Sequence, residues 1–191
     1  MENMVIRNNQ FNIGHICTRQ QCDTGLGGKV AMRWLSATME RTDYTFGDLE
    51  RESNRFANIL TTLGFKPGEI FFTFLPKTPE QFFAFLGTLK SRVICGTLFA
   101  NFGEDALLDR LGDSGAHGII TKRHFLKKIA RIRDRLPNLK HIILVDSDEH
   151  GDNGVLSYSR LMAEASAVFD VTVTGPETPS VCAGSNLGPY Q

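Results

Sequence analysis

The chain has 191 residues, of which 41% are hydrophobic, so it can bury a substantial core as one large domain or two small ones. Basic and acidic residues number 21 each, which excludes a global field that would draw the molecule onto nucleic acid or a membrane surface. No apolar run approaches the ~20 residues of a membrane-spanning helix, and the amino terminus has no apolar signal core. We therefore expect a cytoplasmic protein, with no nucleic-acid or membrane partner, whose four cysteines are thiols.

The first part of the chain, residues 1–44, predicts a small extension made of a helix and a hairpin. Its expected elements are a short helix over 11–22, a glycine-rich turn over 23–28, a strand over 29–35 and a returning strand over 43–46. The apolar residues Ile13, Ile16 and Cys17 predict the inner side of the helix. This extension precedes the region in which strands and helices alternate.

Residues 45–174 predict an α/β subdomain with a mostly parallel, doubly wound sheet flanked by helices. The organising stretch is the continuous apolar run from Ile70 to Leu75, which is typical of a parallel strand covered on both faces. The other expected strands lie over 93–99, 117–121 and 141–145, and the other expected helices over 45–63, 104–113, 122–136 and 158–167. Residues 175–191 have no clear period and predict an irregular tail.

Two helix starts can be read directly from the sequence. Thr45 can accept the backbone N–H of Asp48, whose carboxylate suits the positive end of the helix. Thr78 is followed by proline at the first helical position and by Gln81 at the third, which predicts a capped second helix. The predicted apolar stripe of that helix comprises Phe82, Phe83, Leu86 and Leu89.

Three positions in the sequence have both a structural and a chemical interpretation. The segment Gly25–Lys29 lacks the glycine and hydroxyl spacing of a phosphate loop, so a simple turn is favoured. His15, Cys17 and Cys22 match no closed zinc pattern, so a half-buried helix face is favoured over a metal site. Cys95 lies inside a predicted buried strand, where cysteine behaves as a small apolar residue.

The only marked charge asymmetry lies between Lys122 and Lys140, with eight basic residues against one acid, Asp134. One interpretation is the solvated face of an amphipathic helix. The other is an anion site, because helix amino ends attract phosphate and sheet ligands bind beyond the carboxyl ends of strands. Aromatic residues are too few for base stacking, so a nucleotide phosphate is favoured over a nucleic acid.

Several segments resemble, in sequence and in order, the N-terminal part of AMP-forming acyl-CoA synthetases, and most closely the short-type acetyl-CoA synthetases. They are YTFGDLERESNRFANILTTLGFKPGE, FLPKTPEQFFAFLGTLK, GTLFANFGEDALLDRLGDSGAHGIIT and LPNLKHIILVD. The resemblance covers roughly residues 10–181. It implies a Rossmann-like subdomain and a two-step reaction in which a carboxylate and Mg-ATP give an acyl-adenylate, from which CoA displaces AMP.

The resemblance also implies a contact for the nucleotide end of CoA. By position it falls on Phe99, Ala100 and Asn101, with Lys127 as the phosphate partner. Relatives often have glycines where this chain has Ala100 and Asn101, so these side chains are expected to narrow the approach. CoA is thus the candidate ligand, while ATP and Mg²⁺ are implied by the family alone.

The sequence departs from the family after Val181. Relatives continue into a loop of pattern TSG-(S/T)-TG-x-PKG, whereas this chain reads CAGSNLGPYQ over 182–191, without the lysine and the hydroxyl run. We expect these last residues to be foreign to the family, no catalytic residue to be present, and the polypeptide to be inactive in adenylation. An exposed apolar face is then expected to favour a homodimer or aggregation. The alternatives are a non-catalytic CoA-nucleotide-binding or protein-interaction module, and a generic Rossmann-type enzyme, which the lack of a G-x-G-x-x-G motif disfavours.

Overall fold

The computed structural model describes residues 12–172 and 174–182. In chain order its strands are β1 (Val30–Leu35), β2 (Arg41–Thr45), β3 (Ile70–Thr73), β4 (Ile94–Thr97), β5 (Gly118–Thr121), β6 (His141–Leu144), β7 (Val155–Ser157) and β8 (Val181–Cys182). Its α-helices are α1 (Ile13–Cys17), α2 (Arg19–Gln21), α3 (Phe46–Thr62), α4 (Pro79–Lys90), α5 (Glu104–Asp113), α6 (Arg123–Ile132) and α7 (Tyr158–Glu164).

The main sheet has six strands in the order β7-β6-β5-β3-β4-β8, and all its neighbouring pairs are parallel. Phe71 of β3 pairs with Cys95 of β4 on one side and with Gly118 of β5 on the other. The predicted central strand is therefore the middle of the sheet, which explains its unbroken apolar run. The predicted α/β fold class is confirmed.

Helices cover both faces of this sheet. On one face, α5 and α6 contribute Leu107, Leu111 and Ile129 to a core cluster built around Phe72. On the other face, α3, α4 and α7 pack against Phe71. Because each face is covered, the strands are buried and exclude water from their backbone hydrogen bonds.

The hairpin β1-β2 forms a separate two-stranded antiparallel sheet, as the sequence predicts. Its Trp34 indole donates to the carbonyl of Lys77 at 2.9 Å, and Tyr44 packs edge-on against Phe83. These contacts join the hairpin to the start of α4. The division at residues 44 and 174 into separate units stays a prediction.

The two predicted helix starts differ in their hydrogen bonds. Thr45 and Asp48 form a reciprocal capping box at the start of α3, as predicted. Thr78 occupies the corresponding position before α4, but its hydroxyl makes no capping bond. A capping hydroxyl at Thr78 would accept the backbone amide of Gln81. That amide donates instead to the backbone carbonyl of Thr78.

The predicted inner sides of two helices are partly wrong. In α1, Ile13 and Cys17 are exposed, whereas Gly14 and the following Thr18 are buried. A Cβ on Gly14 would lie 2.8 Å from the carbonyl oxygen of Leu86, so α1 approaches α4 through its smallest residue. In α4, Phe82 is 41% exposed.

The reason for the second error is the close contact between α3 and α4. A Cβ on Gly87 would lie 2.6 Å from the carbonyl oxygen of Ser53. The packing face of α4 therefore runs through Phe83, Gly87 and Lys90 rather than through Phe82. The prediction from hydrophobicity alone missed this packing face, because the close approach of the α3 and α4 backbones determines it.

Three further differences concern short elements. Strand β7 was not predicted, and β8 lies in the segment expected to be irregular, where Val181 pairs with Cys95 and Cys182 with Gly96. The basic helix ends at Ile132 and continues as one 3₁₀ turn, Arg133–Arg135. Of the predicted tail, residues 183–191 lie outside the described residues. No helix among the described residues is long and apolar enough to cross a membrane.

Candidate functional site

The predicted coenzyme contact lies in the loop between β4 and α5. The amide of Leu98 donates to the carbonyl of Thr73, which fixes the start of the loop to the central strand. The amide of Phe102 donates to the carbonyl of Phe99 at 3.0 Å and closes a tight turn. The loop thus leaves the carboxyl edge of the sheet, where ligands of open α/β sheets bind.

The side chains of this loop divide between the core and the surface. Ala100 and Phe102 pack against the core cluster beneath the loop. Phe99 is 71% exposed, and its ring packs edge-on against that of Phe102 at 5.6 Å. Asn101 is exposed. An exposed aromatic ring held by a half-buried one is a surface on which a planar ring can stack.

Helix α6 lies beside this loop. The Lys128 ammonium donates to the carbonyl of Phe102 at 2.8 Å and lies 5.5 Å from the centre of the Phe125 ring. One turn further on, the guanidinium of Arg131 donates to the carboxylate of Glu104 at 2.6 Å. These two hydrogen bonds, from Lys128 and from Arg131, hold α6 against the loop and against the start of α5.

Lys127 is exposed and has no hydrogen bond or ion pair within residues 12–172 and 174–182. It lies one turn before Arg131 on the same helix, so both face the same side. The structure brings the helix that carries Lys127 to the loop that carries Phe99 and Asn101. The contact of this group with CoA stays a prediction.

The amino end of α6, the other candidate phosphate position, is already used by the protein itself. The carboxylate of Asp146 accepts the backbone N–H of Arg123 at 2.7 Å, and the Arg123 side chain donates to Ser147. An internal carboxylate thus occupies the place that an anion would take. Lys127, one turn along the helix, is exposed.

The turn Gly25–Lys29 takes its structural interpretation. In the segment Gly25–Lys29, the carbonyls of Gly27 and Lys29 accept the amides of Gly47 and Phe46, so this turn supports the start of α3. Among the described residues, no group of three or more His, Cys, Asp or Glu side chains could hold a metal ion. ATP and Mg²⁺ stay implied by the family alone.

The sequence reasoning missed a buried polar cluster between α3 and α4. Lys90 has no exposed surface, and its ammonium donates to Glu50 at 2.6 Å and to Asn54 at 2.7 Å. Thr18 donates to the same Glu50 carboxylate at 2.7 Å, and Asn54 also donates to the carbonyl of Ala167. The signal was present, because Lys90 follows Phe83 and Gly87 at helical spacing.

The electrostatics of this cluster follow from burial and hydrogen bonding. Burial lowers the pKa of Lys90, because an ammonium loses hydration, while the hydrogen bond to Glu50 opposes this effect. Burial raises the pKa of Glu50, but the hydrogen bonds from Lys90 and Thr18 lower it more, so the net pKa lies below its usual value. At Cys95, burial raises the pKa of the thiol, which makes it an inert core residue as expected.

A parallel sheet covered on both faces, with a loop and a basic helix at its carboxyl edge, defines an open α/β protein of the class whose ligands bind at that edge. The model of the AMP-binding enzyme family matches residues 19–182. The chain belongs to this family, whose curated relatives here are acyl-CoA synthetases.

Individual proteins agree with this assignment. The acetyl-coenzyme A synthetase of Bacillus subtilis is 33% identical over 144 residues, which are 75% of this chain and 25% of that protein. The 3-hydroxypropionyl-coenzyme A synthetase of Sulfurisphaera tokodaii is 33% identical over 138 residues, 71% of this chain and 20% of that protein. The crystal structure of the Brucella canis acyl-CoA synthetase superposes with a TM-score of 0.81 at 26% identity, covering 92% of this chain and 32% of the other. The chain thus spans about a fifth to a third of the length of these relatives.

Proposed function

We propose that this chain takes part in acyl-CoA formation by binding the nucleotide end of CoA. The reaction of the relatives joins acetate or another short carboxylate to CoA at the cost of ATP, giving AMP and pyrophosphate. In this proposal Phe99, Ala100 and Asn101 form the loop on which the nucleotide lies, and Lys127 binds its 3′-phosphate. No residue of the chain is given a catalytic role.

The observation that carries the proposal is the 2.8 Å hydrogen bond from Lys128 to the carbonyl of Phe102. It holds α6, which carries the exposed Lys127, against the loop that carries the exposed Phe99. An exposed ammonium and an exposed aromatic ring on two adjoining elements suit a phosphorylated purine, since the ammonium can bind the phosphate and the ring can stack on the base. CoA fits this edge better than it fits the amino end of α6, where Asp146 would repel its phosphates.

The experiment is a titration of the purified chain with adenosine 3′,5′-bisphosphate, followed by calorimetry. We expect micromolar binding that weakens about tenfold in Lys127→Ala, because one charge-assisted hydrogen bond is lost. The matched control is Lys140→Ala, which removes an equal charge from the amino end of β6, at the opposite edge of the sheet. Equal affinities for the wild type and Lys127→Ala would contradict the proposed role of Lys127.

We further propose that this 191-residue polypeptide does not adenylate by itself. Support comes from the lack of a TSG-(S/T)-TG-x-PKG match in the sequence. An ATP–pyrophosphate exchange assay with acetate tests this, and exchange above background would refute it. ATP–pyrophosphate exchange would also exclude the alternative of a non-catalytic coenzyme-binding or protein-interaction module. Nucleotide binding without such exchange would favour that alternative.

The expected homodimer stays a proposal of the same kind. Exposed apolar residues in the described part of the chain include Leu35 and Met39 on the hairpin and Val181 on β8. Such residues favour self-association when they adjoin one another. Sedimentation velocity over a range of concentrations measures it, and a monomer throughout would remove it.

A further inference from the structure

The two neighbouring lysines of α6 are used differently by the protein. Lys127 is exposed and has no ion pair or hydrogen bond within residues 12–172 and 174–182. Lys128 is half-buried. Its ammonium donates a hydrogen bond to the carbonyl of Phe102 and lies over the face of the Phe125 ring. A charged donor to a carbonyl is a stronger hydrogen bond than a neutral one, so this contact can hold a loop.

At its far end the loop leads into α5, where the amide of Leu107 donates to the carbonyl of Gly103, and the Phe102 side chain packs against the core cluster. Its start is tied to the sheet by the amide of Leu98, and its turn is closed by the amide of Phe102. The carbonyl of Phe102 faces α6 and accepts from Lys128. The ring of Phe102 supports the exposed ring of Phe99, so a displacement of Phe102 would carry Phe99 with it.

We infer that Lys128 is a positioning residue: it fixes the loop at Phe102 and thereby places the exposed Phe99 ring for the coenzyme nucleotide. This inference rests on the proposed function, and it assigns to Lys128 a task other than phosphate binding. Lys128 acts on both the adenine and the phosphates through the loop, whereas Lys127 acts on the 3′-phosphate alone.

The test compares Lys128→Met with Lys127→Met. The two variants lose the same charge from adjacent positions on one helix, and methionine keeps an unbranched side chain in both. Each protein is titrated with adenosine 3′,5′-bisphosphate and with 5′-AMP, which lacks the 3′-phosphate. Amide hydrogen exchange of the loop is measured on the same proteins without nucleotide.

For Lys128→Met we expect both affinities to fall by a similar factor of about ten, which leaves the ratio between the two nucleotides unchanged. We also expect exchange at the Phe102 amide to rise about tenfold, while the Phe72 amide in β3 is unaffected. For Lys127→Met we expect the ratio to fall toward one and loop exchange to stay at the wild-type rate. Lys128→Arg should restore most of the loop protection, since it supplies a donor of similar reach.

Two results would overturn the inference. One is loop exchange in Lys128→Met equal to that of the wild type. The other is a loss confined to the 3′-phosphorylated nucleotide, which would make Lys128 a direct phosphate ligand. If the wild type binds neither nucleotide, the proposed function fails, and the exchange data still decide whether Lys128 holds the loop.

Discussion

The ammonium of Lys90 donates to the carboxylate of Glu50 at 2.6 Å, in a position where Lys90 has no exposed surface. The pair joins α3 to α4, and through Thr18 it also holds the amino-terminal helices. A buried charge is tolerated only with a partner, so these residues depend on one another.

We predict that Lys90→Met lowers the free energy of unfolding by about 3 kcal/mol, because it leaves the Glu50 carboxylate without its cation. The double variant Lys90→Met/Glu50→Leu should lose less than the single variant, since no unpaired charge remains. Urea unfolding of the wild type, Lys90→Met, Glu50→Leu and the double variant measures this. A double variant that loses the sum of the two single losses would show that the residues are not coupled.

The same cluster predicts a dependence of stability on pH. The folded pKa of Glu50 lies below its usual value of 4.5, so its contribution is complete above that value and is lost as pH falls through the folded pKa. Asp48 acts in the same direction, because the backbone N–H and the hydroxyl of Thr45 lower its pKa. We expect the unfolding free energy to fall on acidification, and Glu50→Gln to flatten part of this fall. Parallel curves of unfolding free energy against pH for the wild type and Glu50→Gln would contradict the role given to Glu50.

The two threonines that precede α3 and α4 offer a matched pair of substitutions. Thr45→Val should cost about 1 kcal/mol, because the capping box loses its hydroxyl acceptor. Thr78→Val should be neutral or stabilising, because the Thr78 hydroxyl is buried without a hydrogen-bond partner among the described residues. Thermal unfolding of both variants measures the difference, and an equal loss at the two sites would be evidence against it.

Two helical glycines give a second matched pair. Gly87→Ala should destabilise by about 1–3 kcal/mol, because the new methyl group would meet the backbone of α3. Gly112→Ala in α5 should instead stabilise by up to about 1 kcal/mol, since the nearest atom to its Cβ is a leucine methyl at 3.8 Å. Chemical unfolding of both variants measures the two signs. Stabilisation by Gly87→Ala would mean that α3 and α4 can separate without cost.

The arrangement of the main sheet could be read from the sequence because it depends on long apolar runs. The run from Ile70 to Leu75 lies in the middle of the sheet, and the capping box at Thr45 lies where its residue types place it. Signals of this kind are local, and each occupies a few consecutive residues. These local signals do not depend on contacts with distant parts of the chain.

What the sequence did not reveal depends on contacts between distant segments. The burial of Lys90 follows from Glu50, forty positions away, and the exposure of Phe82 follows from the close approach of α3 to Gly87. Strand β8 has two residues and exists because β4 offers it an edge. The loop residues Phe99 and Asn101 were predicted from resemblance, whereas the role proposed for Lys128 rests on its hydrogen bond to Phe102.

The most direct measurement of the central claim is a map of backbone amide shifts, recorded by NMR as adenosine 3′,5′-bisphosphate is added to the chain. The account predicts that the largest changes fall on residues 98–103 and on the turn of α6 around Lys127. Changes centred instead on the amino end of α6 near Arg123 and Asp146, or no changes at millimolar nucleotide, would contradict it.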